Sequence, residues 1–412
     1  MEGMYSESNY NKCTDILLNS KKLLIVQDID GVCIPLFKDP LDRKIDKDYV
    51  KTVSNLRNEF YVLTCGEHEG KRGVNRIIEK AFDSKGYVGN KGLYLPGLAA
   101  CGIEFQDNFG NIELLGVEKR EIQFINEVPI LMKELLAKEL REILKSLSEQ
   151  EIEDQVNIAV CDTRYSPAIN LNSLFNIFKH SVLKKIELQK AIHRVMLKIK
   201  EIASSRELKD SFYLHISPNL GKENGLELIK YATKYDIGTT DIQFIINGAL
   251  KEAGLLVLIN KYILNKNGYC PFGENFNVRE APKSVKGLIT LCKENITYDE
   301  MPILVGVGDT VTSNKHNTSG KWLRGGSDRG FLTLIQKLGM EYKKQNKLIF
   351  VDSSHGEVYR PSTRDGTLNG ITDDNDDLNF DLIMKGGPIE YKAWLKEFAT
   401  RRKSIKETRE SI

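Results

Sequence analysis

Apolar runs that stop abruptly at a carboxylate or a hydroxyl recur along this chain. Leu23 to Val26 leads into Gln27-Asp28-Ile29-Asp30-Gly31, and Phe60 to Leu63 leads into Thr64. Ile303 to Val307 leads into Gly308-Asp309, and Leu348 to Val351 leads into Asp352. Such runs carry no polar alternation, so they predict strands buried on both faces, as in a parallel sheet. Helical periodicity lies between them. Leu41 to Phe60 carries Tyr49, Val50, Val53 and Leu56 behind a capping Asp46, and Lys71 to Phe82 is amphipathic. Tyr94 to Phe105 reads as strand and turn, and Asp107-Asn108-Phe109-Gly110 as a hairpin turn. Strand and helix in alternation predict an α/β core, a Rossmann-like parallel sheet with crossover helices.

The pattern changes after about residue 116. Lys119 to Glu149 is largely helical, Val156 to Ala159 and Phe212 to Ile216 read as strands, and Leu174 to Ala203 between them is helical. This predicts an inserted α+β domain over 116–218, interrupting a core formed by 15–115 and 219–360. Asp241 to Ile246 is assigned to the core as a returning strand, followed by a helix over Glu252 to Ile263. Residues 361–412 make a polar loop and, from about Glu390, a charged terminal helix. No internal repeat is present.

Composition changes little in this picture. A chain of 412 residues suggests two domains. A net charge of +2 points to neither nucleic acid nor an anionic membrane as a partner. The seven cysteines are scattered singly without a C-x-x-C pair, which favours a reducing compartment and disfavours structural zinc. Cys33 and Cys65 are read as small filler residues. Met1 to Thr14 lacks the apolar core of a signal peptide, and no stretch approaches the ~20 apolar residues of a membrane span. The expectation is a soluble, cytoplasmic protein.

The candidate chemistry sits where the strands end. Alone, Asp28-Ile29-Asp30-Gly31 fits an Asx turn as well as a reactive pair. A parallel sheet, however, gathers its carboxyl ends on one edge, so Asp28, Asp30, Thr64 and Asp309 converge there. Asp28 fits an attacking carboxylate, and Asp30 fits the acid and base for the leaving oxygen and for water. Thr64 supplies a hydrogen bond to a phosphoryl oxygen. Asp309, with Asp28 and the main-chain carbonyl of Asp30, offers hard oxygen ligands to Mg²⁺. This order of motifs resembles the haloacid-dehalogenase phosphohydrolases. That resemblance implies a lysine near the nucleophile, for which Lys222 and Lys251 both qualify. Lys222 is preferred because its string, read as strand, turn, lysine and helix, is similar to the one that closes the cap in sugar-phosphate relatives. The chain departs from the pattern after Asp309, where Thr310 to Asn314 lacks a second acid. Asp328 is available to order metal waters, but capping of the helix near Phe331 is the preferred reading. The insertion corresponds to a substrate-covering cap, whose last strand carries His215 as a substrate-contacting or structural histidine.

Longer strings narrow the resemblance. They are Gln27 to Cys33, Gly66-Glu67-His68-Glu69-Gly70-Lys71-Arg72-Gly73-Val74, Gly92 to Ala100, Gly238 to Asp241 and Gly306 to Ser313. Together they are similar to the cyanobacterial glucosylglycerol 3-phosphate phosphatases over about residues 21–359. The resemblance implies Mg²⁺-dependent release of phosphate from a phosphorylated glycoside, giving the uncharged osmoprotectant glucosylglycerol under salt stress. It also implies a glucosylglycerol-phosphate synthase as a candidate partner. Lys71 and Arg72 would grip phosphate and Glu67 a sugar hydroxyl, against the plainer reading of a charged loop and helix start. Sucrose phosphate, mannosylglycerate phosphate and glucosylglycerate phosphate are rival substrates, the last calling for one more cation in the pocket. A non-catalytic binding protein on the same fold would have no use for the Asp28 nucleophile.

Overall fold

The computed structural model describes residues 7–315 and 320–410, so the first part of the polar amino-terminal stretch lies outside the described residues. Helix α1 (Glu7–Asn19) precedes β1 (Leu23–Gln27), followed by α2 (Lys47–Ser54) and β2 (Phe60–Leu63). Next come α3 (Val74–Phe82), α4 (Lys85–Lys91) and the short strands β3 (Gly97–Ala99), β4 (Glu104–Gln106) and β5 (Ile112–Leu114). The insertion opens with α5 (Lys119–Ile143) and α6 (Glu149–Ala159). It continues through β6 (Val160–Cys161), β7 (Ala168–Asn170), α7 (Asn172–Ile177), α8 (Val182–Ser205) and β8 (Phe212–Ser217). A hairpin of β9 (Asn219–Glu223) and β10 (Leu226–Ile229) leads to β11 (Asp241–Ile246), α9 (Lys251–Asn267) and α10 (Val285–Asn295). The chain ends with β12 (Ile303–Gly308), the hairpin β13 (Thr312–Lys315) and β14 (Trp322–Gly325), α11 (Arg329–Glu341), β15 (Lys347–Val351), β16 (Leu382–Met384) and α12 (Gly387–Glu410).

The main sheet has the order β16-β15-β12-β1-β2-β3-β4-β5. Every neighbouring pair from β16 to β3 is parallel, and β4 and β5 add an antiparallel edge. Alternate residues of β1 feed two cores. Leu23 and Ile25 face α2 and α12, whereas Leu24 and Val26 face α9 and α11. Burial on both faces is why the strand reads as an unbroken apolar run. From β1 the chain moves to β2 on one side and later returns through β12 on the other. β1 is therefore the switch point, where a crevice opens beyond the strand ends.

The second sheet is antiparallel, with the order β6-β7-β11-β8. Ile169, Ile242, Phe244, Leu214 and Ile216 are buried with residues of α5 and α8, and the Phe212 and Phe244 rings lie 4.8 Å apart. Asn170, Asp241, Gln243, His215 and Ser217 stand on the other face of the same strands. Asp241 to Ile246 thus completes the insertion's sheet instead of returning to the core, and a boundary at residue 218 would cut that sheet in two. The reason is the period-2 pattern Asp241-Ile242-Gln243-Phe244, which suits a sheet with one covered face.

Two other expectations change. Residues 156–159 are the last turn of α6, whose capping box of Ser148 and Glu151 organises the helix from its start. Lys222 lies on β9, and Asn224-Gly225 makes the hairpin turn with positive φ at both residues, so no helix begins there. The loop over 361–380 is tied down: Asp373 accepts from the Arg324 guanidinium at 2.8 and 2.9 Å, and Asp376 from Arg329. Among the described residues, no helix is long and apolar enough to cross a membrane.

Candidate active site

The carboxyl ends of β1 and β12 and the start of α9 meet around one lysine. Lys251 Nζ donates to Asp28 Oδ2 at 2.5 Å and to Asp328 Oδ1 at 2.7 Å. Lys251 and Asp328 are 3% and 0% exposed, which makes the site an internal ion triad. Burial works against the charge on Lys251, but Asp28 and Asp328 outweigh it and hold the ammonium protonated. Burial pushes the Asp28 carboxyl up to about 7, against the lowering pull of Lys251. Asp28 Oδ1 also accepts from the Ile29 amide at 2.7 Å, which leaves the carboxylate fixed at the strand end.

Asp328 does not cap α11 with its side chain. Its second oxygen instead accepts from the amides of Asp309 and Thr310 at 2.9 and 3.0 Å, pinning the end of β12. A Cβ on Gly308 would collide with the Asp328 side chain, so this close approach needs glycine. Likewise Gly31, at φ +85°, turns the chain against Asp309, where a Cβ would overlap the carboxylate. Asp309 is itself buried, and both of its carboxylate oxygens lack a hydrogen-bond partner among the described residues. Burial, and then the neighbouring Asp328 and Asp28, raise its carboxyl well above the ordinary range. One oxygen from each of Asp28, Asp309 and Asp328 falls within 4.8 Å of the others.

The remaining sequence-predicted residues divide. Thr64 is buried beside the site, its hydroxyl accepting from Gly66 N at 3.3 Å. Asp30 is paired with Arg43 at 2.7 Å. Glu67 is buried, accepts from the Arg164 amide of the cap at 2.8 Å, and is pushed up to about 7 chiefly by burial. Arg72 bridges core and cap through Asp39 and Asp162, and Arg43 donates to its carbonyl. Lys71 is exposed and lines no part of the cavity. Lys222 is half exposed, sits 4.0 Å from Glu227, and makes no contact with Asp28; the lysine paired with Asp28 is Lys251. His215 is buried against Glu227, which raises its pKa despite burial, and its Nε2 has no partner among the described residues. Cys65 is not a free filler residue but is joined to Cys101 by a disulfide.

A family model described as glucosylglycerol-phosphate phosphatase matches residues 22–399. A glucosylglycerol-phosphate phosphatase of Synechocystis sp. is 40% identical over 399 residues, 94% of each chain. The chain belongs to the glucosylglycerol-phosphate phosphatase family. It is a phosphatase, and its substrates are of the sugar-phosphate class. Solved structures similar to it include the C-terminal domain of C. albicans trehalose-6-phosphate phosphatase, 10% identical with a TM-score of 0.45, covering 95% of this chain and 97% of that one. Aspergillus fumigatus trehalose-6-phosphate phosphatase is 7% identical with a TM-score of 0.40, covering 96% and 99%.

In this family member the floor around Asp28 and Lys251 faces the polar side of the cap sheet across a cavity of about 200 Å³. Strand register sets the roof. Asn170, Asp241 and Ser217 lie in one row across β7, β11 and β8, and Ala168, Gln243 and His215 in the next. All six line the cavity. Asp241, Gln243, Arg43 and Arg360 were missed by sequence reasoning. The Asp-x-Gln alternation in β11 was a usable signal for the first two; Arg43 and Arg360 sit in loops with no local pattern to mark them.

Proposed function

We propose that this chain hydrolyses glucosylglycerol 3-phosphate to glucosylglycerol and phosphate, with Mg²⁺ and through an aspartyl phosphate. The reading is carried by one observation, a buried Lys251–Asp28 pair at the floor of a cavity roofed by hydroxyl, amide and carboxylate side chains. The floor suits phosphate and the roof suits a polyhydroxylated group. An Asp28 oxygen attacks phosphorus; the ester P–O bond breaks, and the leaving glycerol oxygen takes a proton from Asp30. Asp30 then removes a proton from water, whose oxygen attacks the acyl phosphate, releasing phosphate and restoring Asp28. Lys251 holds Asp28 in place, and Thr64 donates to a phosphoryl oxygen.

The donor set fits a hard divalent cation. Asp28 and Asp309 would hold Mg²⁺, since the Asp309 oxygens are buried acceptors without a hydrogen-bond partner among the described residues. When bound, the ion would neutralise phosphate charge so that an anionic carboxylate can approach. The product is neutral and polyhydroxylated, in keeping with an osmoprotectant made in the cytoplasm under salt stress.

The test is phosphate release from a panel of glycosyl phosphates, with and without Mg²⁺. Glucosylglycerol 3-phosphate is expected to be the best substrate and to need the ion. Preference for glucosylglycerate, mannosylglycerate or sucrose phosphate would reassign the substrate.

A further inference from the structure

Arg43, Arg72, Lys251 and Arg360 are the lysine and arginine side chains that line the cavity. Three are already committed. Arg43 pairs with Asp30 at 2.7 Å, Arg72 with Asp162 and Asp39, and Lys251 with Asp28 and Asp328. Arg360 differs. Among the described residues it forms no ion pair, its Nη1 donates only to the adjacent Tyr359 carbonyl at 3.1 Å, and its buried Nε has no partner. It reaches the cavity from the loop after β15, next to Val358. Burial disfavours its charge, opposed by the fields of Asp309 on the core and of Asp236 and Asp241 on the cap side. Arg360 lines the same cavity as Asp28 and Thr64 of the floor and Asp241 of the roof. A charged group held there with unspent donors is costly unless an anion completes it.

We propose that Arg360 is a substrate-binding residue that donates to the phosphate group of the bound glycosyl phosphate. The floor presents the carboxyl groups of Asp28 and Asp30, so a phosphate entering against them is held best with a cation opposite. Arg360 is the cavity arginine free to serve, and its planar fork matches two phosphate oxygens. The proposal rests on the glycosyl-phosphate reading for its substrate, but its core, an anion site at Arg360, can be measured separately.

The experiment compares wild type, Arg360→Gln and Arg360→Lys as full chains with Mg²⁺ present. It measures kcat and KM on glucosylglycerol 3-phosphate, inhibition by inorganic phosphate and by neutral glucosylglycerol, calorimetric binding of inorganic phosphate, and the melting temperature. For Arg360→Gln, KM is expected to rise and phosphate affinity to fall by about tenfold, as for loss of a charged hydrogen bond. Glucosylglycerol inhibition and the melting temperature should stay at wild-type values, and Arg360→Lys should fall between. Unchanged phosphate affinity in Arg360→Gln overturns the proposal. So does weaker glucosylglycerol binding with phosphate unaffected, which would make Arg360 a sugar contact. A fall in every quantity together with the melting temperature, not rescued by lysine, would mark a purely structural arginine. If the wild type leaves glucosylglycerol 3-phosphate intact, the substrate reading fails, and phosphate calorimetry still decides the role of Arg360.

Discussion

Asp28 and Lys251 do different work in one ion pair, and substitutions separate them. Asp28→Asn keeps the shape and the Ile29 contact but removes the anionic attacking oxygen. Turnover is expected to fall by several orders of magnitude, while the fold survives with a lower melting temperature because Lys251 keeps Asp328 as its partner. Retention of more than a tenth of wild-type turnover, about 1.4 kcal/mol in barrier, would remove Asp28 as the nucleophile. Lys251→Met strips both Asp28 and Asp328 of their cation, so activity and stability should fall together, by about 3 kcal/mol in unfolding free energy. Lys222→Met should behave as an exposed substitution, within about 0.5 kcal/mol in denaturant melts and close to wild-type kcat. The reverse ranking would restore Lys222 to the nucleophile. Asp309→Ala removes two unpartnered buried oxygens, so the variant should need far more Mg²⁺ or lose turnover, and chelation should silence the wild type. Full activity after exhaustive chelation would end the metal-dependent reading.

Among elements, α12 shows how a charged helix is turned to structural use. Its Arg402 is 2% exposed and donates to Glu59 at 2.9 and 3.2 Å and to the carbonyls of Leu17, Leu18 and Ser20. It thereby clamps α12 onto α1 and the start of β2. Burial of Glu59 raises its pKa, but Arg402 and Lys406 prevail and lower it below the ordinary 4.5. A carboxyl lowered on folding stabilises above its unfolded pKa, and that contribution fades as pH falls through the folded value. Acid melts should therefore show stability lost below about pH 4.5 in wild type, with a shallower slope in Glu59→Gln. An identical slope in both proteins would mean that Glu59 carries no linked proton. The same helix illustrates what could be read beforehand. Buried parallel strands announce themselves as apolar runs ending in Asp28, Thr64 and Asp309, so the core and half of the site were legible. Arg402 was not, because a guanidinium inside a helix–helix contact looks like any surface charge until its partner, 343 residues away, is known. Lys222 was misplaced although Asn224-Gly225, a strong hairpin signal, stood two residues on. Strand β11 was given to the wrong sheet because the apolar Ile245-Ile246 end outweighed the alternation before it.

At the scale of the whole molecule, two sheets divide the labour. In the proposed reaction the parallel sheet handles phosphate, which every candidate substrate shares, so discrimination must come from the roof and from the seam beside it. At that seam Glu67 accepts from the Arg164 amide, Glu69 pairs with Arg164 at 2.8 Å, Arg72 bonds Asp162, and Ser166 donates to the Cys65 carbonyl at 3.1 Å. These contacts hold the cap over the floor. They also tie cap position to what fills the cavity, since Glu67, Arg72 and Ser166 line it. A substrate with both halves can bond Asp241, Gln243 and His215 above while its phosphate meets Asp28 below. Glycerol 3-phosphate or glucose 6-phosphate leaves part of that row unpaired, and buried polar groups without partners cost free energy. Efficiency, as kcat/KM, is therefore expected to be far higher for glucosylglycerol 3-phosphate than for either fragment, measured side by side at fixed Mg²⁺. Asp241→Ala sharpens the comparison. Burial raises the Asp241 carboxyl to about 6, and in the proposed complex its oxygens would accept from sugar hydroxyls. Its loss should lower kcat/KM on the glycoside by about tenfold while leaving glycerol 3-phosphate nearly unchanged, which would narrow the gap between them. An equal fall on both substrates would place Asp241 in general cap stability, and equal wild-type efficiency on all three phosphates would take selectivity away from the roof altogether.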